Sequence, residues 1–268
     1  MHSLDAATRL TRISCRRLRG ATCPAYWNFG GPFGGVTAAT LMRAVLEDSS
    51  RQGDPVSITV NYTARIAEGD FDVLSRLIRT GRSIQHWYVE LVQGDVVAAN
   101  ATLVLANRSK TWGHQSARAP AVPPPQALAP LSADNRSAFV GQFEFRFVGG
   151  APEFRAEFDG QPRTARSEVW LNNAVPRPWD FIGLTTASDL FFGRIYFVQG
   201  TVFPIATVSL SAYFHIGSAG MAALGNRALL GVADANVFED GFFDQTAQLW
   251  TADGRLVATT TQIVNYRA

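Results

Sequence analysis

The chain has 268 residues, of which 47% are apolar and 17% are charged, and its formal net charge is +2. So little charge argues against a disordered chain, and so small a net charge argues against a nucleic-acid-binding protein. Two cysteines and four scattered histidines provide neither a disulfide framework nor a zinc site. No apolar run is long enough to span a membrane, and the N-terminus shows no apolar signal region. We therefore expect a cytoplasmic protein without a membrane span, a metal or a cofactor.

The first half of the chain combines one helix with several strands. Five arginines between Arg9 and Arg19 without an intervening acid favour a solvated strand or loop, and contact with an anionic ligand is the alternative. The glycine-rich stretch from Asn28 to Gly35 precedes apolar residues at helical spacing, so we predict a helix beginning near Val36. Strands are predicted at Ser57–Arg65, Phe71–Ile78, Ile84–Val92 and Val96–Ala106.

A segment rich in Pro, Ala and Ser separates the two halves. It covers residues 108–135 and shows no hydrophobic periodicity, which is typical of a partly extended linker. The predicted organisation is therefore an N-terminal unit of residues 1–107, the linker, and a C-terminal unit of residues 136–268.

The second half repeats this combination. Phe143, Phe145 and Phe147 alternate with polar residues and predict a strand with one wet face. Residues from Trp179 to Phe197 read as one mostly apolar helix. Further strands are predicted at Ser167–Leu171, Ile205–Phe214 and Leu229–Phe238, followed by a hairpin of Phe243–Thr251 and Arg255–Tyr266 around Asp253-Gly254.

The shared order of elements predicts an internal duplication. Gly35–Leu41 can be laid on Gly183–Asp189, and at the same spacing Thr59 falls on Thr207. An apolar helix followed by antiparallel strands, present twice, predicts the tandem (double) hotdog, an α+β fold. In this fold two long central helices are wrapped by curved antiparallel sheets that form one continuous sheet.

Motif analysis excludes several enzyme classes and singles out one carboxylate. There is no nucleophile elbow, no Walker A loop and no dinucleotide-binding glycine motif. Asp189 is the only charged residue between Asp180 and Arg194. A buried carboxylate is costly unless it is paired or used, and burial makes it a stronger base. Asp189 is thus either a general base or a structural group bonded to Thr185 or Ser188, or one that faces a wet cleft.

Four short segments resemble the type II acyl-CoA thioesterases, the TesB-like double-hotdog family. They are Phe33-Gly34-Gly35, Ala187-Ser188-Asp189-Leu190, Ala206-Thr207-Val208 with Phe214-His215, and Leu256–Gln262. The resemblance extends from about Tyr26 to Arg267. It departs from the family in the first-half strand, where Ile58–Tyr62 replaces a histidine-containing segment.

The resemblance implies the site residues and the chemistry. Asp189, Thr207 and Gln262 would hold a nucleophilic water, and the N–H groups of Gly34 and Gly35 would bind the oxyanion of an acyl-CoA thioester. Phe33, with neighbouring aromatic residues, would line an acyl tunnel or pack in the core.

The duplication predicts one site per chain, and two other functions stay open. The first-half residues matched to Asp189 and Gln262 are Leu41 and Thr102, which cannot activate water. Apolar and polar residues on both faces of the strand around Thr207 favour a homodimer or higher homo-oligomer. The alternatives to a thioesterase are a non-catalytic acyl-CoA or acyl-carrier binding protein and a hotdog hydratase or dehydratase.

Overall fold

A computed structural model describes residues 1–149 and 151–267 of the chain. The α-helices are α1 (Ser3–Ala7), α2 (Gly34–Leu46), α3 (Phe181–Ala187), α4 (Arg194–Gln199) and α5 (Ser218–Leu224). The first-half strands are β1 (Thr11–Arg12), β2 (Arg17–Ala21), β3 (Asp54–Tyr62), β4 (Asp70–Thr80), β5 (Ile84–Gln93) and β6 (Val96–Ala106). The second-half strands are β7 (Phe143–Phe147), β8 (Ser167–Asn173), β9 (Ile205–Phe214), β10 (Leu229–Asp234), β11 (Phe238–Glu239), β12 (Phe242–Trp250) and β13 (Leu256–Tyr266).

These strands form one antiparallel sheet. Its order is β1-β2-β4-β5-β6-β3-β9-β13-β12-β10-β8-β7, and β11 pairs with β12. Outward from the centre, β3, β6, β5, β4 and β2 on one side correspond to β9, β13, β12, β10 and β8 on the other. The two halves meet where β3 pairs with β9, from Ser57 opposite Tyr213 to Asn61 opposite Ser209. The predicted double hotdog with a continuous sheet is confirmed.

Two central helices lie side by side inside the sheet. Ten of the thirteen residues of α2 are buried, and so are all seven residues of α3. A helix that is apolar on every side belongs in such a wrapped position, because no face of it meets water. None of the helices within residues 1–149 and 151–267 is long and apolar enough to cross a membrane.

The single helix predicted from Trp179 to Phe197 is wrong, because the chain breaks there into α3 and α4. The hydroxyl groups of Thr185, Thr186 and Ser188 each donate to the backbone carbonyl four residues earlier. Such bonds compete with the regular helix ladder. The amides of Asp189 and Leu190 then reach carbonyls only three residues back, which tightens and ends the last turn. Asp189 therefore lies in a turn after α3 and not in the middle of a helix.

The other predicted elements differ mainly at their ends. The strand expected at Leu229–Phe238 stops at Asp234, and a separate short strand, β11, begins at Phe238. The arginine-rich segment contains β2, where Arg17 and Arg19 both pair with Asp72 of β4. This arrangement agrees with the solvated strand face expected for the arginines.

A β-bulge in β9 changes the direction of one predicted site residue. Ile263 of β13 pairs with Ser209, but the next residue, Val264, pairs with Thr207, so that Val208 is left over. Strict alternation would place Thr207 on the outer face with Ser209 and Ser211. The extra residue instead turns Thr207 toward the inner face, which it shares with Leu210.

The predicted linker lies along the outer face of the second-half sheet. It covers a small apolar cluster there, formed by Trp170, Leu230, Val232 and Trp250. The indole N–H of Trp170 donates to the carbonyl of Pro123 at 2.9 Å. The residue boundaries of the two units stay a prediction. The same holds for a partner subunit on the outer face around Val208, Tyr213 and Ile263, which are 41%, 47% and 42% exposed.

Candidate active site

Asp189 is held between the two halves of the molecule. The turn after α3 places its side chain at the beginning of α2, and it is only 9% exposed. Its carboxylate Oδ1 accepts a hydrogen bond of 2.9 Å from Nε2 of Gln262 on β13. The hydroxyl groups of Thr185 and Ser188 are bonded to backbone carbonyls, so the structural alternative, in which they hold Asp189, is wrong.

Thr207 and Gln262 extend this contact into a chain of hydrogen bonds. Oγ1 of Thr207 donates to Oε1 of Gln262 at 3.3 Å, and the amide of Gln262 in turn donates to Asp189. Gln262 is 3% exposed, and its backbone lies opposite Leu210 on the neighbouring strand. The structure thus brings together all three residues that the sequence predicted for water activation.

The start of α2 supplies the other side of the site. Phe33, the residue before the helix, provides no side-chain cap, so the first N–H groups of α2 have no local acceptor. The backbone N–H of Gly35 is directed at the carboxylate of Asp189 and favours its charged form. A Cβ on Gly34 would lie 2.7 Å from Oδ2 of Asp189, so only glycine allows the carboxylate to approach so closely. The carboxylate lies against the start of a helix that belongs to the other half of the fold.

Burial has the largest effect on the pKa of Asp189. Loss of solvation raises the pKa of Asp189 from 3.8 to about 7, and the hydrogen bonds from Gln262 and Gly35 act against this rise. A carboxylate whose pKa lies near neutral pH can accept a proton and return it, which is what a general base must do.

Phe33 lies in the aromatic core beside this site. Its ring is 3% exposed and stacks on Phe139 with the centroids 4.3 Å apart, while Phe143 packs edge-on against it. The ring also lies against Gly35, where an added Cβ would be 2.5 Å from the Phe33 ring and 2.6 Å from the carbonyl of Thr186. Phe33 therefore fixes the helix entry by packing, and its contact with an acyl group stays a prediction.

Tyr62 is a site residue that the sequence analysis did not identify. Its hydroxyl donates to the backbone carbonyl of Gly34 at 2.9 Å. Burial, together with the nearby charge of Asp189, raises the pKa of Tyr62 well above its usual range. Period-two alternation from Ile58 and Val60 places Tyr62 on the inner face, and this signal could have identified it.

Other candidate residues lie outside the site. Thr59 and Thr102 face outward, and the hydroxyl of Thr59 lies 2.9 Å from that of Ser211. The sequence match of Thr59 to Thr207 and of Thr102 to Gln262 is therefore wrong, because the members of each pair face opposite sides of the sheet.

The ring of His215 bonds to Thr259. The buried guanidinium of Arg194, at the start of α4, donates to the carbonyls of Phe192 and Ala165 and to the hydroxyl of Ser167 on β8.

The start of α3 is the position that the duplication makes equivalent to the start of α2, but its first N–H groups have a different acceptor. There the side chain of Asp180 caps its own helix, accepting from the N–H of Gly183 at 2.7 Å. Leu41, the residue matched to Asp189, is fully buried. The first N–H groups of α3 are thus served locally, and this helix start receives no carboxylate from α2.

Comparisons with known proteins identify the family of the chain. A family model described as the acyl-CoA thioesterase N-terminal domain matches residues 23–106, and one described as the acyl-CoA thioesterase C-terminal domain matches residues 117–266. No curated protein matches the chain.

Solved structures share the fold over nearly the whole chain. A hot-dog-fold protein of unknown function from Alicyclobacillus acidocaldarius is 34% identical with a TM-score of 0.94, over 100% of this chain and 99% of that one. A putative thioesterase II from Thermobifida fusca is 19% identical with a TM-score of 0.82, over 100% and 98%. The acyl-CoA thioesterase II TesB2 from Mycobacterium marinum is 19% identical with a TM-score of 0.78, over 99% and 98%. The C-terminal family model alone spans more than half of the sequence, and the chain therefore belongs to the acyl-CoA thioesterase family.

Proposed function

We propose that the protein hydrolyses acyl-CoA thioesters to the free acid and CoA by direct attack of water. The observation that carries this proposal is the buried carboxylate of Asp189, which the amide of Gln262 and the start of α2 hold in place. Thr207, Gln262 and Asp189 place a hydroxyl, an amide and a carboxylate next to one another on the inner face of the sheet. A water held there can present a lone pair to a carbonyl carbon.

The reaction then follows from the roles of these groups. The water oxygen bonds to the thioester carbonyl carbon while Asp189 accepts one proton of the water, and the carbonyl oxygen becomes an oxyanion. When the tetrahedral intermediate collapses, the carbon–sulfur bond breaks and the electron pair leaves with the CoA sulfur. The protonated Asp189 returns its proton to that sulfur, so the products are a carboxylic acid and the CoA thiol.

The oxyanion needs a donor that Asp189 does not occupy. Because the N–H of Gly35 is directed at the carboxylate, we assign the oxyanion to the N–H of Gly34, the first residue of α2. A helix start favours negative charge through its unpaired N–H groups and its dipole. The side chains of one half and the backbone of the other would thus act on the same carbonyl group.

The two alternatives make different demands on the chain. A hotdog hydratase or dehydratase needs a histidine near the helix start, but the histidine contacts lie elsewhere. His2 bonds to Val175, His114 stacks on Trp112 and His215 bonds to Thr259. His86 is exposed on β5, opposite Arg79. A non-catalytic binding protein needs no basic group, whereas burial raises the pKa of Asp189 to about 7.

A panel of acyl-CoA esters of different chain length tests the proposal through release of free thiol. The wild-type protein is expected to hydrolyse at least one ester, and Asp189→Asn should lower kcat by roughly 10²–10⁴ because it removes the base but keeps the shape. Binding of acyl-CoA without thiol release would support the binding protein instead. A folded Asp189→Asn protein that keeps half of the activity would exclude Asp189 as the base.

A further inference from the structure

We propose that Tyr62 is a positioning residue for the reaction proposed above, and that its hydroxyl fixes Gly34 so that the N–H of Gly35 remains directed at Asp189. The proposal rests on the proposed function for its kinetic consequence. Its structural part concerns only the first turn of α2 and can be tested without turnover.

Tyr62 lies in the same row of the sheet as the residues that hold the water. In the pairing of β3 with β9, Val60 is opposite Leu210 and Asn61 is opposite Ser209. The next position of β3, Tyr62, therefore comes beside the bulge at Val208. Three neighbouring strands thus direct Tyr62, Thr207 and Gln262 to one region of the inner face, beneath the turn that carries Asp189.

The first turn of α2 is held by the packing of Phe33 and by one side-chain hydrogen bond from the sheet. Gly34 and Gly35 have no side chains to pack, and two consecutive glycines have unusually wide backbone freedom. Phe33 provides no side-chain cap. The hydroxyl of Tyr62 reaches Gly34 directly, donating to its carbonyl at 2.9 Å from a strand in the centre of the sheet. The bond therefore joins the glycine-containing start of α2 to a central strand of the sheet.

The consequence reaches Asp189 through the start of α2, because a Cβ on Gly34 would lie 2.7 Å from Oδ2 of Asp189 and 3.3 Å from the hydroxyl of Tyr62. The N–H of Gly35 favours the charged form of Asp189, so any displacement of this turn should make the carboxylate a weaker acid. Burial and the charge of Asp189 both raise the pKa of Tyr62, so its phenol is protonated at neutral pH. Tyr62 thus acts as a neutral donor throughout the working range.

Tyr62→Phe tests the proposal because it keeps the ring and removes only the hydroxyl. Tyr196→Phe is the matched control, since the Tyr196 hydroxyl also donates to a backbone carbonyl, that of Phe203, at 2.8 Å. Carbon-13 NMR of the carboxyl groups, with Asp189 assigned from Asp189→Asn, gives the titration midpoint of Asp189 in each protein. Thiol release between pH 5 and 9 gives kcat and KM.

We expect Tyr62→Phe to move the Asp189 midpoint upward by about half a pH unit and to lower kcat by roughly 3- to 10-fold with little change in KM. Tyr196→Phe should leave the midpoint unchanged. An unchanged midpoint in Tyr62→Phe, or an equal shift in both variants, would overturn the proposal. If the wild type releases no thiol from any ester, the proposed function fails, while the NMR midpoints still decide the role of Tyr62.

Discussion

The side-chain amide of Gln262 donates to Oδ1 of Asp189 at 2.9 Å, across 73 residues of sequence. Gln262 belongs to β13, the last strand along the chain, and Asp189 belongs to the turn after α3. The contact therefore exists only when the sheet has closed around the two helices. The same hydrogen bond lowers the pKa of Asp189, whereas burial of the carboxylate raises it.

The pH dependence of the reaction should report this balance. Asp189 can accept a proton only when it is ionised, and burial raises its pKa to about 7, so kcat/KM should rise with pH and level off above that value. An unperturbed carboxylate would reach its plateau near pH 5. Thiol release measured from pH 5 to 9 distinguishes the two profiles. A rate that is flat over this range would show that the titrating group is not Asp189.

The two matched threonines should differ sharply when each is replaced by valine. Thr207→Val removes a hydroxyl that bonds to Gln262 and would contact the water, so we expect kcat to fall tenfold or more. Thr59→Val removes a hydroxyl on the outer face, next to Ser211, and should leave kcat nearly unchanged. Steady-state kinetics of the two purified proteins is the measurement. Equal losses would mean that the outer face participates in catalysis.

Substituting the glycine that faces the carboxylate should damage catalysis more than folding. A methyl group on Gly34 would lie 2.7 Å from Oδ2 of Asp189, and we expect Gly34→Ala to displace the carboxylate and lower kcat roughly 10- to 100-fold. Gly30→Ala is the control, because no heavy atom lies within 4 Å of its added methyl group. Comparable kcat values for Gly34→Ala and the wild type would show that the close approach has no role in turnover.

Each chain should bind one equivalent of a tight, non-hydrolysable acyl-CoA analogue. The start of α2 receives Asp189 from the other half, whereas the start of α3 is capped by its own Asp180 beside the buried Leu41. Isothermal titration calorimetry gives the stoichiometry directly. Two equivalents per chain would mean that both helix starts bind acyl groups.

A second carboxylate, Asp5, should contribute to stability in a pH-dependent manner. It accepts from Arg177 at 2.8 Å and from Arg43 at 3.2 Å, joining α1 to α2 and to the segment before α3. The hydrogen bond from Arg177, followed by the charges of Arg177 and Arg43, lowers the pKa of Asp5. The stabilisation is therefore present above the pKa of the unfolded chain, near 3.8, and is lost as the pH falls below it.

Asp5→Asn should accordingly lower the free energy of unfolding by up to about 1 kcal/mol at pH 7, because the Asp5 side chain is 34% exposed and partly screened by solvent. Urea denaturation at pH 7 and at pH 3.5 measures the loss, which should shrink at the lower pH. Asp159→Asn, at an exposed pair of arginine contacts, serves as the control and should change the stability less. A loss that is the same at both pH values would attribute the effect to packing rather than to charge.

The sequence predicted the sheet and the identity of the polar residues better than their orientation. Alternation and turn signals located most strands, and helical spacing located α2. The helix that apolar composition had extended to Phe197 ends at Ala187, where the amides of Asp189 and Leu190 reach carbonyls only three residues back. The direction of Thr207 depends on a bulge set by pairing with β13, and Tyr62 gains its role from a contact with the first residue of α2, 28 residues earlier. Neither is a local property of the sequence.

The bulge at Val208 also means that β9 carries one residue more than its pairing with β13 requires. Deleting Val208 would bring Thr207 directly before Ser209 in a regular ladder, and Thr207 would still pair with Val264 and face the inside. If Val208 itself were paired with Val264, the threonine hydroxyl would point to the outside, although the sequence would be the same. When relatives are aligned with this chain, the placement of a single gap near Val208 therefore decides whether a threonine is counted inside the site or outside it.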